Sequence, residues 1–207
     1  MAEKKESDKP MPSISVWHPL LAAAREYQLK STPPPTPDDE TARKLIVITP
    51  TNTSITDILY VTHYRRTIFL SGPCDRSCDW RAAIIRLAET WGNDAVFVDP
   101  SNPNWDHTWK SDGTDPRYME QIRWESVAMQ NSTHFVVCLD GEQRLTSKFE
   151  LLQAEDRPCV VYAPLGMSAT PMLPYLRVVT ETRHRTIFVD DPRKFIDIVR
   201  SYAGADA

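Results

Sequence analysis

The stretch His134-Phe-Val-Val-Cys-Leu139 is a short run of aromatic and β-branched residues that ends in Asp140-Gly141. An apolar run of this length, bounded by turn residues, predicts a buried β-strand. The pattern before it, from Pro116 to Gln130, predicts a helix with proline in its first turn. A second helix is predicted from about Thr146 to Ala154. A strand between two helices is typical of the centre of an α/β fold.

The same alternation extends in both directions from this strand. Further strands are predicted at 45–49, 67–70, 95–98, 159–162 and 186–189, and further helices at 79–91 and about 192–202, the latter with Asp191 as N-cap. Residues 99–116 are predicted to form a long polar loop that contains tryptophan. Strands that alternate with helices favour a parallel sheet covered on both faces. We therefore expect one α/β domain over residues 44–203.

Composition excludes several classes of protein. The chain has 207 residues, 41% hydrophobic and 25% charged, as in ordinary globular proteins. A net charge of −4 argues against binding to a nucleic-acid polymer. No apolar run predicts a membrane span or a secretion signal, so we expect a cytoplasmic protein.

The cysteines and histidines suggest neither a disulfide framework nor a metal site. Cys74 and Cys78 are spaced as CxxxC, but no second ligand pair completes a closed zinc site. The five histidines are scattered along the chain, and no cofactor is predicted.

Residues 1–43 are predicted to form a disordered, Pro-rich arm. The prolines of the run 33–37 oppose regular structure, and Asp38-Asp-Glu40 adds charge. Within the arm, Trp17 to Arg25 could form one short amphipathic helix. The favoured interpretation is a loosely docked tail, and the alternative is a segment that packs on a partner subunit.

Three loops that follow strands carry most of the polar chemistry. They are Ser71–Arg76, Asp99–Trp109 and Asp140–Ser147. In open parallel sheets, ligands bind where loops leave the carboxyl ends of the strands. We therefore expect a ligand site where these three loops converge.

Two glutamates flank the predicted central strand. Glu150 is the candidate nucleophile, since a carboxylate can attack an anomeric carbon and release a base. Ser147-x-x-Glu150 equally fits a helix capping box, and the two interpretations are balanced. Glu125 lies four residues after Gln121, so both side chains share a helix face and could orient sugar hydroxyls. Glu125 could instead be a solvated neighbour of Arg123.

The first two loops hold further candidates for substrate binding. Gly72 would allow the backbone to approach a ligand closely, although a tight turn explains it equally well. Asp75 stands where a sugar or phosphate could bind, or forms a surface ion pair with Arg76. Trp105 and Trp109 could stack on a nucleobase, with Asp106 beside them, or form a small hydrophobic cluster under the loop.

The third loop offers a proton donor. Asp140, at the tip of the central strand, could assist the departing base as a general acid. A turn-forming Asp-Gly is the alternative explanation.

Four motifs together resemble the nucleoside 2-deoxyribosyltransferase-like proteins over about residues 66–163. The motifs are Thr67-Ile-Phe-Leu-Ser-Gly-Pro73, Asp99-Pro-x-x-Pro-x-Trp-Asp106-x-x-Trp109, Tyr118-x-Glu-Gln-Ile-x-Trp-Glu125 and Phe149-Glu150-Leu-Leu. The resemblance implies a Rossmann-like, flavodoxin-type fold, cleavage of an N-glycosidic bond and a homo-oligomer. It also implies that Glu150 is the nucleophile and that Glu125 helps to position the sugar.

The chain departs from the family pattern at two places. Leu151-Leu-Gln-Ala154 replaces the usual Leu-Gly-x-Ala after the nucleophile, and residues 142–146 lack the usual Pro or Asp pattern. Asp140 is therefore expected to replace the acid that assists the base.

We predict an enzyme that transfers or hydrolyses the N-glycosidic bond of a small-molecule nucleoside or nucleoside monophosphate. Arg144 and the backbone amides at Thr146 and Ser147 would hold a 5′-phosphate. One alternative is a non-catalytic nucleotide-binding or scaffold protein. Another is a family member that performs a different group transfer in a specialised biosynthetic pathway.

Overall fold

A computed structural model describes residues 18–30, 45–63, 65–73, 80–92, 94–106, 108–110, 112–139, 154, 156–163, 178 and 185–205. Within these ranges five helices and six strands follow one another along the chain. In chain order they are α1 (His18–Lys30), β1 (Ile46–Ile48), α2 (Ile55–Thr62), β2 (Thr67–Ser71), α3 (Trp80–Ala88), β3 (Val96–Val98), α4 (Pro116–Gln130), β4 (His134–Cys138), β5 (Cys159–Tyr162), β6 (Thr186–Val189) and α5 (Pro192–Tyr202).

The strands form one parallel sheet in the order β1-β3-β2-β4-β5-β6. Without β1, the remaining five strands have the 2-1-3-4-5 order of flavodoxin-type sheets. Strand β1 extends this sheet at one edge by pairing with β3. The predicted α/β class and flavodoxin-type architecture are therefore confirmed.

Side chains of the central strands alternate between two hydrophobic cores. In β2, Ile68 and Leu70 face the core that includes α1, α3 and α5. Phe69 faces the other core, which includes side chains of α2 and α4. Because β2 and β4 are buried on both faces, their inner residues, 68–70 and 135–138, are all apolar rather than alternating. Helices cover both faces of the sheet, as predicted.

Most element boundaries agree with the predicted ones within one or two residues. The prediction was right for α4 and α5, where Asp115 and Asp191 cap the first turn by accepting from the backbone amides of Arg117 and Arg193. Helix α3 is shorter than predicted, because the residues after Ala88 turn away from it. The helix predicted at 146–154 lies outside the described residues, apart from Ala154.

Helix α2 was not predicted from the sequence. It has only eight residues, and its β-branched and aromatic side chains resemble a strand more than a helix. Ser54 starts it by accepting from the amide of Asp57, while the Ser54 hydroxyl donates to the Asp57 carboxylate at 2.6 Å. This reciprocal cap was the sequence signal for the helix.

Part of the predicted arm is a docked helix. Leu20, Ala23 and Ala24 of α1 are buried against α3 and α5. The spacing of these three residues places them on one helix face, which explains why this segment packs on the domain instead of trailing from it. The Tyr27 hydroxyl donates to Asp197 at 2.6 Å. The rest of the predicted arm lies outside the described residues.

Candidate functional site

The ends of β2 and β4 create the crevice in which this class of sheet binds ligands. From β2 the chain crosses to β3 on one side, whereas from β4 it crosses to β5 on the other side. The loops therefore diverge at the carboxyl ends of these two neighbouring strands. All of the site residues described below follow β2 or β3, or lie on the helices α3 and α4 that flank them.

Gly72 occupies the exit of β2, where the backbones of the two strands come very close. Its φ of 149° is unfavourable for any residue with a side chain. A Cβ atom at this position would also lie 2.7 Å from the carbonyl oxygen of Cys138 and 3.2 Å from the ring of Trp80. At Gly72 the backbones of two strands therefore approach each other closely, whereas the approach to a ligand inferred from the sequence stays a prediction.

Arg81, in the first turn of α3, is buried beneath this exit. Its Nε donates to the carbonyl of Leu70 at 3.0 Å, and its two Nη atoms donate to the carbonyls of Gly72 and Pro73, both at 2.7 Å. Arg81 Nε also lies 3.6 Å from Asp99 Oδ1. One guanidinium therefore joins the exit of β2 to the first residue after β3.

Asp99 begins the long loop after β3. Its Oδ1 accepts the amide of Ser101 at 2.9 Å, and its own amide donates to the carbonyl of Ile48 in the edge strand β1. The carboxylate is thus fixed between a backbone donor and Arg81, in a largely buried position. Strand β1 stabilises this loop through that backbone bond.

Gln121 holds Glu125 in a defined orientation. Gln121 Nε2 donates to Glu125 Oε1 at 2.7 Å and to the carbonyl of Pro100 at 2.9 Å. Gln121 Oε1 accepts from Asn102 Nδ2 at 3.0 Å. Both amide protons are therefore directed at protein groups, and Gln121 is buried. The helix α4 and the loop after β3 meet at this amide.

Opposing effects act on the pKa of the Glu125 carboxyl. Burial raises its pKa above the ordinary value, because removal from water disfavours the charged form. The hydrogen bond from Gln121 and the positive charge of Arg81 oppose this increase. The prediction that Glu125 shares a face with Gln121 is confirmed, and Glu125 is not a freely solvated surface residue.

Three aromatic rings pack together near the first turns of α4. Tyr118 lies on this helix one turn before Gln121, and the other two rings belong to the preceding loop. The ring of Trp105 lies 5.1 Å from that of Trp109 and 5.7 Å from that of Tyr118, between centroids. The Arg117 guanidinium covers the Trp109 ring at 5.2 Å. Trp105 nevertheless remains 44% exposed. The cluster predicted under the loop exists, and it leaves one tryptophan with an accessible surface.

Asp106 shapes the loop that carries these tryptophans. Its Oδ1 accepts from the amide of Thr108 at 2.8 Å, and its carbonyl accepts from the amide of Trp109 at 3.0 Å. Asn102 makes the preceding turn in the same manner, with its Oδ1 accepting from Asn104 at 2.9 Å. These local bonds position Trp105 and Trp109 beside Tyr118.

The structure brings together some of the predicted site residues. Gly72, Gln121 and Glu125 lie around Arg81, whereas Trp105, Asp106 and Trp109 form the adjoining aromatic cluster. The other predicted site residues, Asp75, Asp140, Arg144, Ser147 and Glu150, lie outside the described residues. Their roles stay predictions.

Sequence reasoning missed Arg81, Asp99 and Asn102. Arg81 had a detectable signal, because it precedes Ile84 by three residues and Ala88 by seven and therefore lies on the apolar face of α3. A charged residue on such a face has to find partners, and here the partners are backbone carbonyls. Asp99 and Asn102 lie in the loop whose polar residues the sequence singled out, but their contacts with Arg81 and Gln121 join residues that are distant in sequence.

The described part of the chain contains neither a group of metal ligands nor a membrane-spanning helix. No group of three or more His, Cys, Asp or Glu side chains there is arranged to hold a metal ion. None of the described helices has both the length and the apolar character needed to cross a bilayer. The two described cysteines, Cys138 and Cys159, are both buried.

Comparison with known proteins identifies one related family. The family model described as "Nucleoside 2-deoxyribosyltransferase like" matches residues 65–166. This segment runs from β2 through β5 and contains Arg81, Asp99 and Glu125. A search of curated proteins found no match.

Proposed function

We propose, from the premise that the segment 65–166 belongs to the nucleoside 2-deoxyribosyltransferase-like family, that this chain acts on the N-glycosidic bond of a nucleoside or nucleoside monophosphate. The reaction is transfer of the sugar to a second base, or its hydrolysis. The observation that carries the proposal is Glu125, a partly buried carboxylate fixed by Gln121 on the helix that precedes β4. That carboxylate lies inside the matched segment.

Glu125 is suited to orienting a sugar hydroxyl. An ionised carboxylate accepts hydrogen bonds through both oxygens, and one oxygen of Glu125 already accepts from Gln121. The second oxygen would accept a hydrogen bond from a sugar hydroxyl. The bond from Gln121 to the first oxygen would fix the orientation of the carboxylate for this contact. Gln121, which was predicted to contact substrate, would then act through Glu125, because both of its amide protons are directed at protein atoms.

The proposed chemistry proceeds in two displacements. The Glu150 carboxylate forms a bond to C1′, while the bond from C1′ to the base nitrogen breaks and the base leaves with the electron pair. Asp140 supplies a proton to the departing base. Water or a second base then attacks C1′, the bond from Glu150 to C1′ breaks and releases the carboxylate, and Asp140 takes up the proton of the attacking group. A 5′-phosphate, where present, would bind Arg144 and the amides at Thr146 and Ser147.

The aromatic cluster would hold the base. Tyr118, Gln121 and Glu125 lie at positions i, i+3 and i+7 of α4 and therefore on one face. Tyr118 and Glu125 are separated by about 10 Å along the helix axis, from the rise per residue. The exposed ring of Trp105 contacts Tyr118, so its flat surface is available near the same face. An aromatic ring of this kind binds different bases with little selectivity.

The test is release of free base from a panel of ribonucleosides, deoxynucleosides and their monophosphates. We expect wild-type protein to release base from at least one member, Glu150→Ala to abolish release and Glu125→Gln to lower it. Glu120→Gln is the matched control, because Glu120 is exposed on the same helix. A covalent adduct with a 2-fluoro sugar on Glu150 would identify the nucleophile.

Two outcomes contradict the proposal. Release that survives Glu150→Ala removes Glu150 as nucleophile. Binding of nucleosides by wild-type protein without release from any panel member favours the non-catalytic nucleotide-binding alternative.

A further inference from the structure

Arg81 presents a buried positive charge that the proposed reaction does not use directly. The side chain is 6% exposed, and α3 otherwise contributes apolar residues to the core on this face. Burial of a guanidinium is costly unless its donors are satisfied. Here Nε, Nη1 and Nη2 each donate to a backbone carbonyl at the exit of β2.

The three accepting carbonyls belong to four consecutive residues, Leu70 to Pro73. Gly72 and Pro73 lie beyond the last residue of β2, so strand pairing no longer fixes their carbonyls. The planar fork of the guanidinium has a fixed donor geometry. Three bonds from one rigid group therefore determine the path of the backbone as it leaves the sheet.

The same group also acts on the two described carboxylates of the crevice. Asp99 Oδ1 lies 3.6 Å from Arg81 Nε, and the Arg81 charge favours the ionised form of Glu125. These carboxylates approach from different elements, the loop after β3 and helix α4. Arg81 therefore joins Asp99 to the exit of β2 and acts on Glu125 through its charge.

We propose that Arg81 is a positioning residue of the nucleoside site, which fixes the backbone at residues 70–73, holds Asp99 beside it and sets the electrostatic environment of Glu125. We expect Arg81 not to contact substrate, because it is 6% exposed and three of its five N–H groups donate to backbone carbonyls. The catalytic part of this inference rests on the proposed function, whereas the positioning itself does not.

Two substitutions separate the roles of charge and geometry. Arg81→Lys retains a positive charge but cannot bind three carbonyls with a planar fork. Arg81→Met retains much of the side-chain length and loses both. If Arg81 merely fills space, Glu125 should titrate alike in the two variants. If Arg81 acts through its charge, Glu125 should titrate differently in Arg81→Met and Arg81→Lys.

The first readout is the titration of Glu125, followed by carboxyl ¹³C NMR and assigned with Glu125→Gln. We expect Arg81→Met to raise the pKa of Glu125 and Arg81→Lys to leave it near the wild-type value. An unchanged Glu125 titration in Arg81→Met would overturn the inference. If Arg81→Met does not fold, Arg81→Lys provides the test alone. A marked increase in the pKa of Glu125 in Arg81→Lys would then overturn the inference.

A second readout needs no substitution at Arg81. In the ¹⁵N spectrum of wild-type protein, a guanidinium with three directional bonds should rotate slowly and give separate Nη signals. Assignment would use the loss of these signals in Arg81→Lys. Averaged Nη signals from Arg81 would contradict the fixed geometry, whatever the variants do.

The kinetic readout uses any nucleoside that wild-type protein cleaves. We expect both variants to lower kcat/KM by about 10- to 100-fold, as misplacement of a catalytic group does. The acid limb of the pH profile should move to higher pH only in Arg81→Met. Arg86→Met is the control, because Arg86 is exposed on the same helix. A wild-type rate in Arg81→Lys would overturn the geometric role of Arg81.

The two proposals fail in different ways. If no nucleoside is cleaved but the Glu125 and guanidinium spectra behave as expected, the proposed function is wrong and the positioning by Arg81 stands. If cleavage occurs and those spectra do not behave as expected, the positioning is wrong and the function stands.

Discussion

The carbonyl oxygen of Cys138 lies so close to Gly72 that a side chain at this position would collide with it. A Cβ on Gly72 would approach this oxygen to 2.7 Å. Two neighbouring strand ends are thereby brought together at the crevice. Because backbone rather than a side-chain tip is the obstacle, a Cβ at this position would have to move β2 away from β4.

Gly72→Ala should therefore lower the free energy of unfolding by about 2–4 kcal/mol, within the range of strain and overpacking effects. Gly92→Ala is the matched control, since Gly92 has a φ of 60° but no atom of the described residues lies within 4 Å of an added Cβ. Gly92→Ala should cost only about 1–2 kcal/mol for its backbone conformation. Equal losses in urea unfolding would refute the close contact as a separate cause.

Glu125→Gln should change how stability depends on pH. Burial raises the folded-state pKa of Glu125, so the folded protein holds this proton more tightly than the unfolded chain does. The contribution of Glu125 is therefore most favourable below the ordinary value of 4.5 and is lost as pH rises through the folded-state pKa. Unfolding of both proteins from pH 4 to 7 should show wild type losing stability relative to Glu125→Gln. A constant difference across this range would contradict the raised pKa.

Trp105→Ala should weaken nucleoside binding without unfolding the domain. Loss of a stacking surface costs about 1–3 kcal/mol, and Trp105 is half-exposed. Trp105→Phe should retain most of the affinity in calorimetric titration. Tyr60→Ala, at an aromatic residue that is 86% exposed on α2, is the control and should leave affinity unchanged. Full affinity in Trp105→Ala would exclude Trp105 from the site.

Trp124→Phe should cost more stability than Trp80→Phe. Both indoles are buried, but Trp124 Nε1 donates to the carbonyl of Thr53 at 2.8 Å, whereas Trp80 Nε1 has no hydrogen-bond partner among the described residues. Loss of the bonded donor leaves the Thr53 carbonyl unsatisfied, a penalty of about 1–3 kcal/mol. The comparison by thermal unfolding isolates the bond that ties α4 to the loop before α2. A smaller loss in Trp124→Phe would show that this bond contributes little.

Leu20→Ala should destabilise the domain by about 2–5 kcal/mol, as for other buried leucines. Leu20 is completely buried, while Leu29, on the same helix, is 88% exposed. Leu29→Ala should therefore have almost no effect on unfolding by urea. If the two variants unfold alike, α1 does not dock on α3 and α5.

The sheet could be predicted from sequence because its strands are short apolar runs between clear breaks. The lack of alternation in β2 and β4 indicated strands buried on both faces, and the helices between the strands indicated a parallel sheet. Helix α2 was not predicted because its β-branched residues favour a strand. The Ser54 cap was the one signal for a helix.

The site was less predictable, because its geometry depends on contacts between distant residues. The pair Gln121 and Glu125 was accessible, since a spacing of four residues on a helix defines a shared face. The contacts of Arg81 with Asp99, and of Asn102 with Gln121, join loops to helices and follow from no local pattern. Glu150 and Asp140 stay predictions from resemblance and from their place after the central strand.

The docking of α1 also constrains the order in which the protein can assemble during synthesis. Tyr27 donates to Asp197 across 170 residues of sequence, and Arg193 binds Glu26 across 167. At ribosomal rates, α1 would leave the exit tunnel roughly 10–30 s before α5. Throughout that interval the apolar face of α1 lacks one of its two partner helices. A chaperone that binds short amphipathic helices would therefore find its target in the nascent chain and lose it once α5 emerges.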